Sequence, residues 1–219
     1  WHVWDGTRWA RDQDGAVMRA VRDALREAIM EIADMDERTG RALYDDVRKC
    51  ESSSSMEGIM KIASSLEAFA VAGNRLDADP YLFNTASGTL DLRTGDMRRH
   101  NPQDLITKVT PFAIGGDGRE FRAFLERILP ENETRRYVQK LFGYAMYGKV
   151  TEHIMPIFTG EGANGKGTLR DAVKAAFGDY AVEVEPDLLI SQKHQRHGSF
   201  KMRLRGARLV FMSETERDR

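Results

Sequence analysis

A mainly helical first part carrying small strands, followed by an α/β part built around a glycine-rich turn, is the fold class this sequence predicts. Three observations predict it. Apolar residues recur at helical spacing in several segments before residue 150. Between residues 74 and 114, Asp-Pro, Ser-Gly and Thr-Gly pairs punctuate short apolar pieces, a pattern of small strands and turns. Finally, "HIMPIFTGEGANGKGT" reads as apolar strand, glycine turn and helix start in direct succession.

The elements follow in order. "WHVWDGTRWARDQDG" alternates bulky and polar residues around Asp5-Gly6 and predicts a hairpin. Val17, Val21, Leu25, Ala28, Ile32 and Met35 repeat at spacings of three and four, which predicts a helix from Ala16 to about Met35. A short helix fits Arg41–Lys49. In "ESSSSMEG" one serine is expected to cap a helix over Met56–Ala72, with Ile59, Ala63, Leu66 and Phe69 as its buried stripe. Helices are predicted again at Arg119–Leu129, through Phe121, Phe124, Leu125 and Ile128, and at about Glu133–Tyr147. A last helix runs from Lys166 to Phe177 and is closed by Gly178. The apolar run Leu209–Met212 predicts a strand. The expected division is residues 1–149 and residues 150–219.

Composition excludes several classes. Of 219 residues, 41% are hydrophobic and 31% charged, as in ordinary soluble globular proteins. No run approaches the roughly 18 apolar residues of a membrane span, and "WHVWDGTRWARD" has no signal-peptide layout. The single cysteine, Cys50, leaves no internal disulfide and fits a reducing cytoplasm. A formal net charge of −1 does not announce a nucleic-acid partner. Locally, however, Gln192–Ser213 lacks Asp and Glu while holding Lys193, Arg196, Lys201, Arg203, Arg205 and Arg208. That stretch is expected either to contact DNA phosphates or a neighbouring subunit, or to be a solvated basic loop. The start at Trp1 and the stop in "SETERDR" read as a piece of something longer.

The glycine turn carries the chemistry. Gly160, Gly165 and Lys166 match the phosphate-binding pattern G-x-x-x-x-G-K-[ST], but Gly167 follows the lysine and the hydroxyl, Thr168, comes one position late. An apolar strand (Ile154, Ile157, Phe158) is expected before the turn, although Pro156 lacks a strand donor. Backbone N–H groups curled at the helix start could face a phosphate, and Lys166 could reach its oxygens. The glycines allow close backbone approach. The competing reading is a strand–turn–helix connection with glycines for geometry only. Mg²⁺ usually keeps several waters, so Thr168 or a water can replace the missing hydroxyl. A second strand with an acid at its tip would complete the site. Leu209–Met212 offers Glu214, with Glu216 able to share the role; the alternative is a surface carboxylate after an edge strand.

"PIFTGEGANGKGT" followed by "LRGARLVFMSETE" resembles the ATPase core of superfamily 3 helicases, particularly phage and plasmid primase–helicases. "LFNTASGTLDLRTGDMRRHNPQDLITKVTPF" and "WDGTRW" are similar to the poxvirus-type primase N-terminal domain that precedes such cores. The resemblance implies an α/β P-loop NTPase core, incomplete after its acidic strand, behind a mainly helical domain with small β-strands. It implies that Gly160, Glu161, Gly162, Ala163, Asn164, Gly165, Lys166, Gly167 and Thr168 bind ATP. Lys166 and Glu214 would be catalytic, and Thr168 and Glu214 would hold Mg²⁺. Asn164 would fix the loop or approach the γ-phosphate. The implied protein is an ATP-hydrolysing DNA helicase of phage or prophage replication, acting on single-stranded or forked DNA as a homo-oligomeric ring, a hexamer, in the cytoplasm of a bacterial host. This stretch alone would hold only part of that machinery, because the family's polar sensor, arginine finger and DNA-contacting hairpin come later. Gly167 departs from the family's usual serine or threonine.

Two other readings remain. "GKGT" also occurs in nucleoside monophosphate kinases, although there the loop sits near the domain start. A noncatalytic assembly or DNA-loading module with a vestigial pocket is the third. His194 and His197 have metal-like spacing without a third ligand. Trp1, Trp4 and Trp9 could stack on bases, but packing within the hairpin is the better reading.

Overall fold

Asp12 sets where the first helix begins. Its carboxylate accepts from the N–H groups of Gly15, Ala16 and Val17 at 2.9, 2.9 and 3.0 Å, taking up donors that a helix start leaves without partners. The Val17 bond does most to hold the Asp12 carboxyl below its usual range. The structure, a computed structural model, describes residues 1–184 and 204–212. The chain divides into two compact units: residues 1–5 with 9–76, and residues 6–8 with 77 onward. Residues 77–149 thus share a unit with the glycine turn, whereas the sequence division was placed at 149.

In the first unit, strands β1 (His2–Trp4) and β2 (Trp9–Arg11) form the expected antiparallel hairpin, with Trp4 opposite Trp9. Their rings meet edge-on at 5.8 Å, and Trp1 meets Phe69 in the same manner at 6.3 Å. The tryptophans are therefore packed against aromatic neighbours within the unit. Helix α1 (Ala16–Glu31) carries the expected stripe through Val17, Val21, Leu25 and Ala28, all half-buried, but gives way to a 3-10 turn over Ile32–Asp34, which leaves Met35 extended and exposed. Helix α2 (Glu37–Cys50) is longer than the sequence suggested, because Asp36 caps it four residues earlier through the Thr39 N–H at 3.1 Å. Helix α3 (Ser53–Ala63) is capped by Ser52, as the serine run predicted, through the Ser55 N–H. It stops well short of Ala72. The hydroxyls of Ser64 and Ser65 donate to the carbonyls of Lys61 and Ile62, offering the backbone an alternative to further helix. Leu66 and Phe69 are consequently exposed instead of buried.

The second unit starts with a three-stranded antiparallel sheet, β3 (Leu82–Thr85), β4 (Gly88–Asp91) and β5 (Met97–Arg98), paired in that order. Helices α4 (Arg119–Ile128), α5 (Asn132–Ala145) and α6 (Lys166–Phe177) follow within a residue or two of their predicted spans. Strand β6 (Ala181–Val184) lies parallel to β7 (Leu209–Met212), with Ala181 opposite Leu209. Phe83, Ala145, Leu169, Val173, Phe177 and Tyr180 are the buried core that joins sheet, α5 and α6. Among the described residues, no helix is long and apolar enough to cross a membrane.

Asn84 is the polar hub of this unit. It is fully buried, and its amide donates to the carbonyls of Thr7 and Lys108 at 2.9 and 3.1 Å. Its side-chain oxygen accepts from Thr89 and from Nδ1–H of His100, each at 2.9 Å. The Asn84 backbone N–H donates to the Tyr180 hydroxyl at 3.0 Å. Arg208, from the acid-free stretch, is neither a solvated cation nor a groove residue. Its guanidinium lies over the Tyr180 ring at 4.8 Å and donates to the carbonyls of Leu82 and Met146. A side chain read as surface charge therefore ties β3 and the end of α5 to the core.

Burial pushes the Tyr180 phenol up to about 12, against the opposing pull of Arg208. The fold thus holds the neutral phenol. Stability is full below the unfolded value near pH 10 and is lost as pH rises through the folded one. Tyr180→Phe is expected to remove this alkaline fall. At neutral pH it should cost about 1–3 kcal/mol, since the buried Asn84 N–H loses its acceptor. Thermal unfolding of both proteins across pH 7–12 checks the two effects.

Candidate functional site

Helix α6 begins at Lys166 because Gly165 turns the chain into it. Gly165 has φ +88° and ψ 0°, a left-handed conformation that costs any side-chain-bearing residue. Space closes the same position: a Cβ there would lie 2.6 Å from Ile128 Cγ2. At the other end of the turn Gly160 has φ +150°, and a Cβ there would collide with the Asn164 amide. Gly162 and Gly167 differ, since a Cβ at either meets nothing within 4 Å. The one non-glycine with positive φ in the turn is Ala163, at +57°.

Lys166 reaches back across the turn it follows. Its Nζ donates to the carbonyls of Gly160 and Glu161 at 2.6 and 3.2 Å and to Asn164 Oδ1 at 3.1 Å. Asn164 Oδ1 also accepts the Lys166 N–H at 3.4 Å, so Asn164 braces the turn from within. The helix ladder starts with the Leu169 N–H donating to the Gly165 carbonyl at 2.9 Å. Helix geometry gives the N–H groups of Gly167 and Thr168, in the first turn, no partner. Loop and helix start border one cavity of about 970 Å³, lined by Gly160, residues 162–168, Phe124, Arg127 and Ile128. Its chemistry is one ammonium, one guanidinium, unpartnered N–H groups and the Thr168 hydroxyl, a donor set suited to an anion.

The structure brings together most of the residues singled out from sequence. Gly160, Gly162, Ala163, Asn164, Gly165, Lys166, Gly167 and Thr168 line the cavity, and Glu161 contributes a carbonyl to Lys166. Glu214 and Glu216 lie outside the described residues, as do His194, His197 and residues 192–203 of the acid-free stretch. The strand that should carry Glu214 is present as β7 and ends at Met212.

One expectation fails. The segment with Ile154, Ile157 and Phe158 forms no strand; no neighbour pairs with it among the described residues, and Ile154 and Ile157 are 53% and 73% exposed. Pro156 has no N–H to give a neighbour. The segment's start is held instead by Tyr144, whose hydroxyl accepts the N–H groups of Thr151 and Glu152 at 2.7 and 2.9 Å.

Sequence reasoning missed the α4 wall. Phe124 and Ile128 were assigned to a buried stripe, and they do pack on the core. They also abut Gly165, and Arg127 between them borders the cavity. Periodicity places such residues on a helix face, but nothing local says what that face meets.

Comparison with known proteins places the chain in a family. The sequence profile described as "D5 N terminal like" matches residues 1–130, more than half of the chain. The chain belongs to that family. The resemblance to primase–helicases read from the sequence is thereby borne out. Two viral proteins are also similar to this chain. One, named a putative helicase, is from Acanthamoeba polyphaga mimivirus and is 26% identical over 153 residues, 67% of this chain. The other, also named a putative helicase, is from Invertebrate iridescent virus 6 and is 25% identical over 151 residues, 65% of this chain. The chain spans only 16% and 15% of the length of these relatives. The family match ends at residue 130, inside the turn after α4, so α4 with Arg127 belongs to the matched region while the glycine turn follows it.

Gly165→Ala is expected to destabilise the second unit by about 1–2 kcal/mol from the left-handed backbone alone, with a further loss from the clash with Ile128. Gly162→Ala and Gly167→Ala should cost much less. Denaturant unfolding of the three variants checks this ordering.

Proposed function

We infer that residues 160–168 bind the phosphates of ATP and that this chain is part of an ATP-driven DNA helicase of the primase–helicase kind. The observation that carries the reading is the Lys166 ammonium, held over the turn by two carbonyls and the Asn164 amide oxygen at the start of α6. A phosphate tail would replace those acceptors with charged ones. The exchange is favourable because charge-assisted bonds are roughly twice as strong as neutral ones. The first-turn N–H groups would donate to the same oxygens, and the positive end of the α6 dipole adds to the attraction.

On this reading the α6 turn and the β6–β7 pair form part of an α/β P-loop core. Thr168, which lines the cavity, would supply a phosphate-bound Mg²⁺ with the oxygen ligand that Gly167 does not. Mg²⁺ would neutralise charge developing on the transferred phosphoryl group. Thr168 and Glu214 would hold the ion, and Glu214 would also orient the attacking water. Lys166 would stay on the terminal phosphate oxygens as their charge grows. Single-stranded or forked DNA as substrate and a ring of identical subunits are part of the same proposal, which the family membership supports. The same membership weighs against the nucleoside monophosphate kinase alternative.

Titration of this chain with a fluorescent ATP analogue in the presence of Mg²⁺ tests the reading. Lys166→Ala is expected to weaken binding by about 1.5–3 kcal/mol, the range for bonds to charged groups. Thr168→Ala should weaken binding only when Mg²⁺ is present, and Gly167→Ser should leave it unchanged. Equal binding by Lys166→Ala and the unsubstituted protein would contradict the site. Loss on Gly167→Ser but not on Thr168→Ala would show that the loop register is wrong.

A further inference from the structure

We propose that Arg127, on α4, is a second phosphate-binding cation of this pocket and contacts the terminal phosphates of the nucleoside triphosphate held by residues 160–168. The proposal rests on the nucleotide reading of the glycine turn and adds a residue from outside it. Four observations carry it.

First, α4 lies directly against the phosphate turn: the position of a Cβ on Gly165 is 2.6 Å from Ile128 Cγ2 and 3.5 Å from Phe124 Cε2. Second, Arg127 falls between those two residues and borders the same cavity as Lys166, Gly167 and Thr168. Third, its guanidinium is placed over the Phe124 ring, 5.9 Å from the centroid, and among the described residues it makes no ion pair. The other α4 arginines are engaged at the opposite end of the helix: Arg119 pairs with the Asp117 carboxylate and Arg122 donates to the Asp117 carbonyl. Fourth, the ordinary task of an arginine in a last helical turn, donating to the free carbonyls there, is already performed from α5. Arg135 donates to the carbonyls of Leu129 and Pro130 at 2.7 and 2.8 Å.

Arg127 is thus a cation on the wall of an anion-suited cavity with its usual structural duties taken by others. A triphosphate tail carries more negative charge than one ammonium offsets. A planar guanidinium can bind two of its oxygens at once, which a lysine cannot. The Phe124 ring beneath it limits the directions it can take, which lowers the entropy lost when it binds.

Affinities of this chain for AMP, ADP and ATP, with Mg²⁺ present, test the proposal. Arg127→Ala is expected to weaken ATP binding roughly tenfold to a hundredfold, ADP binding less and AMP binding little. Arg127→Lys should recover part of the loss, and Arg122→Ala should bind as the unsubstituted protein does. If Arg127→Ala fails to fold, Arg127→Gln takes its place, because it keeps the stem and removes the charge. ATP affinity unchanged by loss of the Arg127 charge, while Lys166→Ala weakens it, overturns the role of Arg127 and leaves the glycine-turn site standing. Equal loss for all three nucleotides also overturns it, since that pattern marks a contact to the base, ribose or α-phosphate that they share. If Lys166→Ala binds ATP as well as the unsubstituted protein, the failure lies with the site itself.

Discussion

The bond that the site depends on is the one Lys166 makes with its own loop. Its ammonium is closed over residues 160–164 by oxygens that a phosphate could outbid, so the turn is preformed around a cation. That arrangement needs Gly160 and Gly165 at its two ends, where left-handed or near-limit φ and close neighbours exclude a side chain. It does not need Gly162 or Gly167, both of which face open space. Gly167, which breaks the strict phosphate-loop pattern, is therefore a change in what the loop offers a metal. The shape of the loop does not depend on it.

Behind the loop, the support comes from segments on both sides of it in the chain. α4 backs the glycine turn through Ile128 and Phe124. The α6 residues Leu169, Val173 and Phe177 join Phe83 of β3 and Ala145 of α5 in one core. Below that core, the Asn84 hub links β3 to β4, to His100 and to the segment around Lys108, and Tyr180 and Arg208 close it. Of this support, the β3–β5 sheet and α4 fall within the family match, which ends at residue 130, and α5 and α6 follow it. This is a physical reason for the upstream segment and the loop to act as one compact unit. It also gives α4 the position from which Arg127 is proposed to reach a bound nucleotide.

Local chemistry made much of this legible. The α1 stripe from Val17 to Ala28, the Ser52 cap, the Asp5-Gly6 hairpin, the closing Gly178 and the β7 strand are all set by neighbours in sequence, and they appear where the sequence puts them. α3 ends early because two serine hydroxyls compete for its last carbonyls, a detail that an apolar stripe cannot reveal. The strand expected over 154–158 rested on apolarity alone, and strand formation also needs a partner edge, which Pro156 helps to deny. β6 was overlooked because four residues after a helix stop give too short a pattern to read. The α4 wall and the burial of Arg208 were not legible, since both follow from tertiary packing between segments far apart in the chain.

The central claim is that the amides at the start of α6 and the Lys166 ammonium grip a phosphate tail. Residue-resolved amide hydrogen exchange on this chain, with and without ATP and Mg²⁺, measures that grip most directly. The account predicts slower exchange at the amides of residues 165–168 in the presence of ATP, with adenosine giving no such protection. Unchanged exchange at those amides, with the nucleotide present in excess, would contradict it.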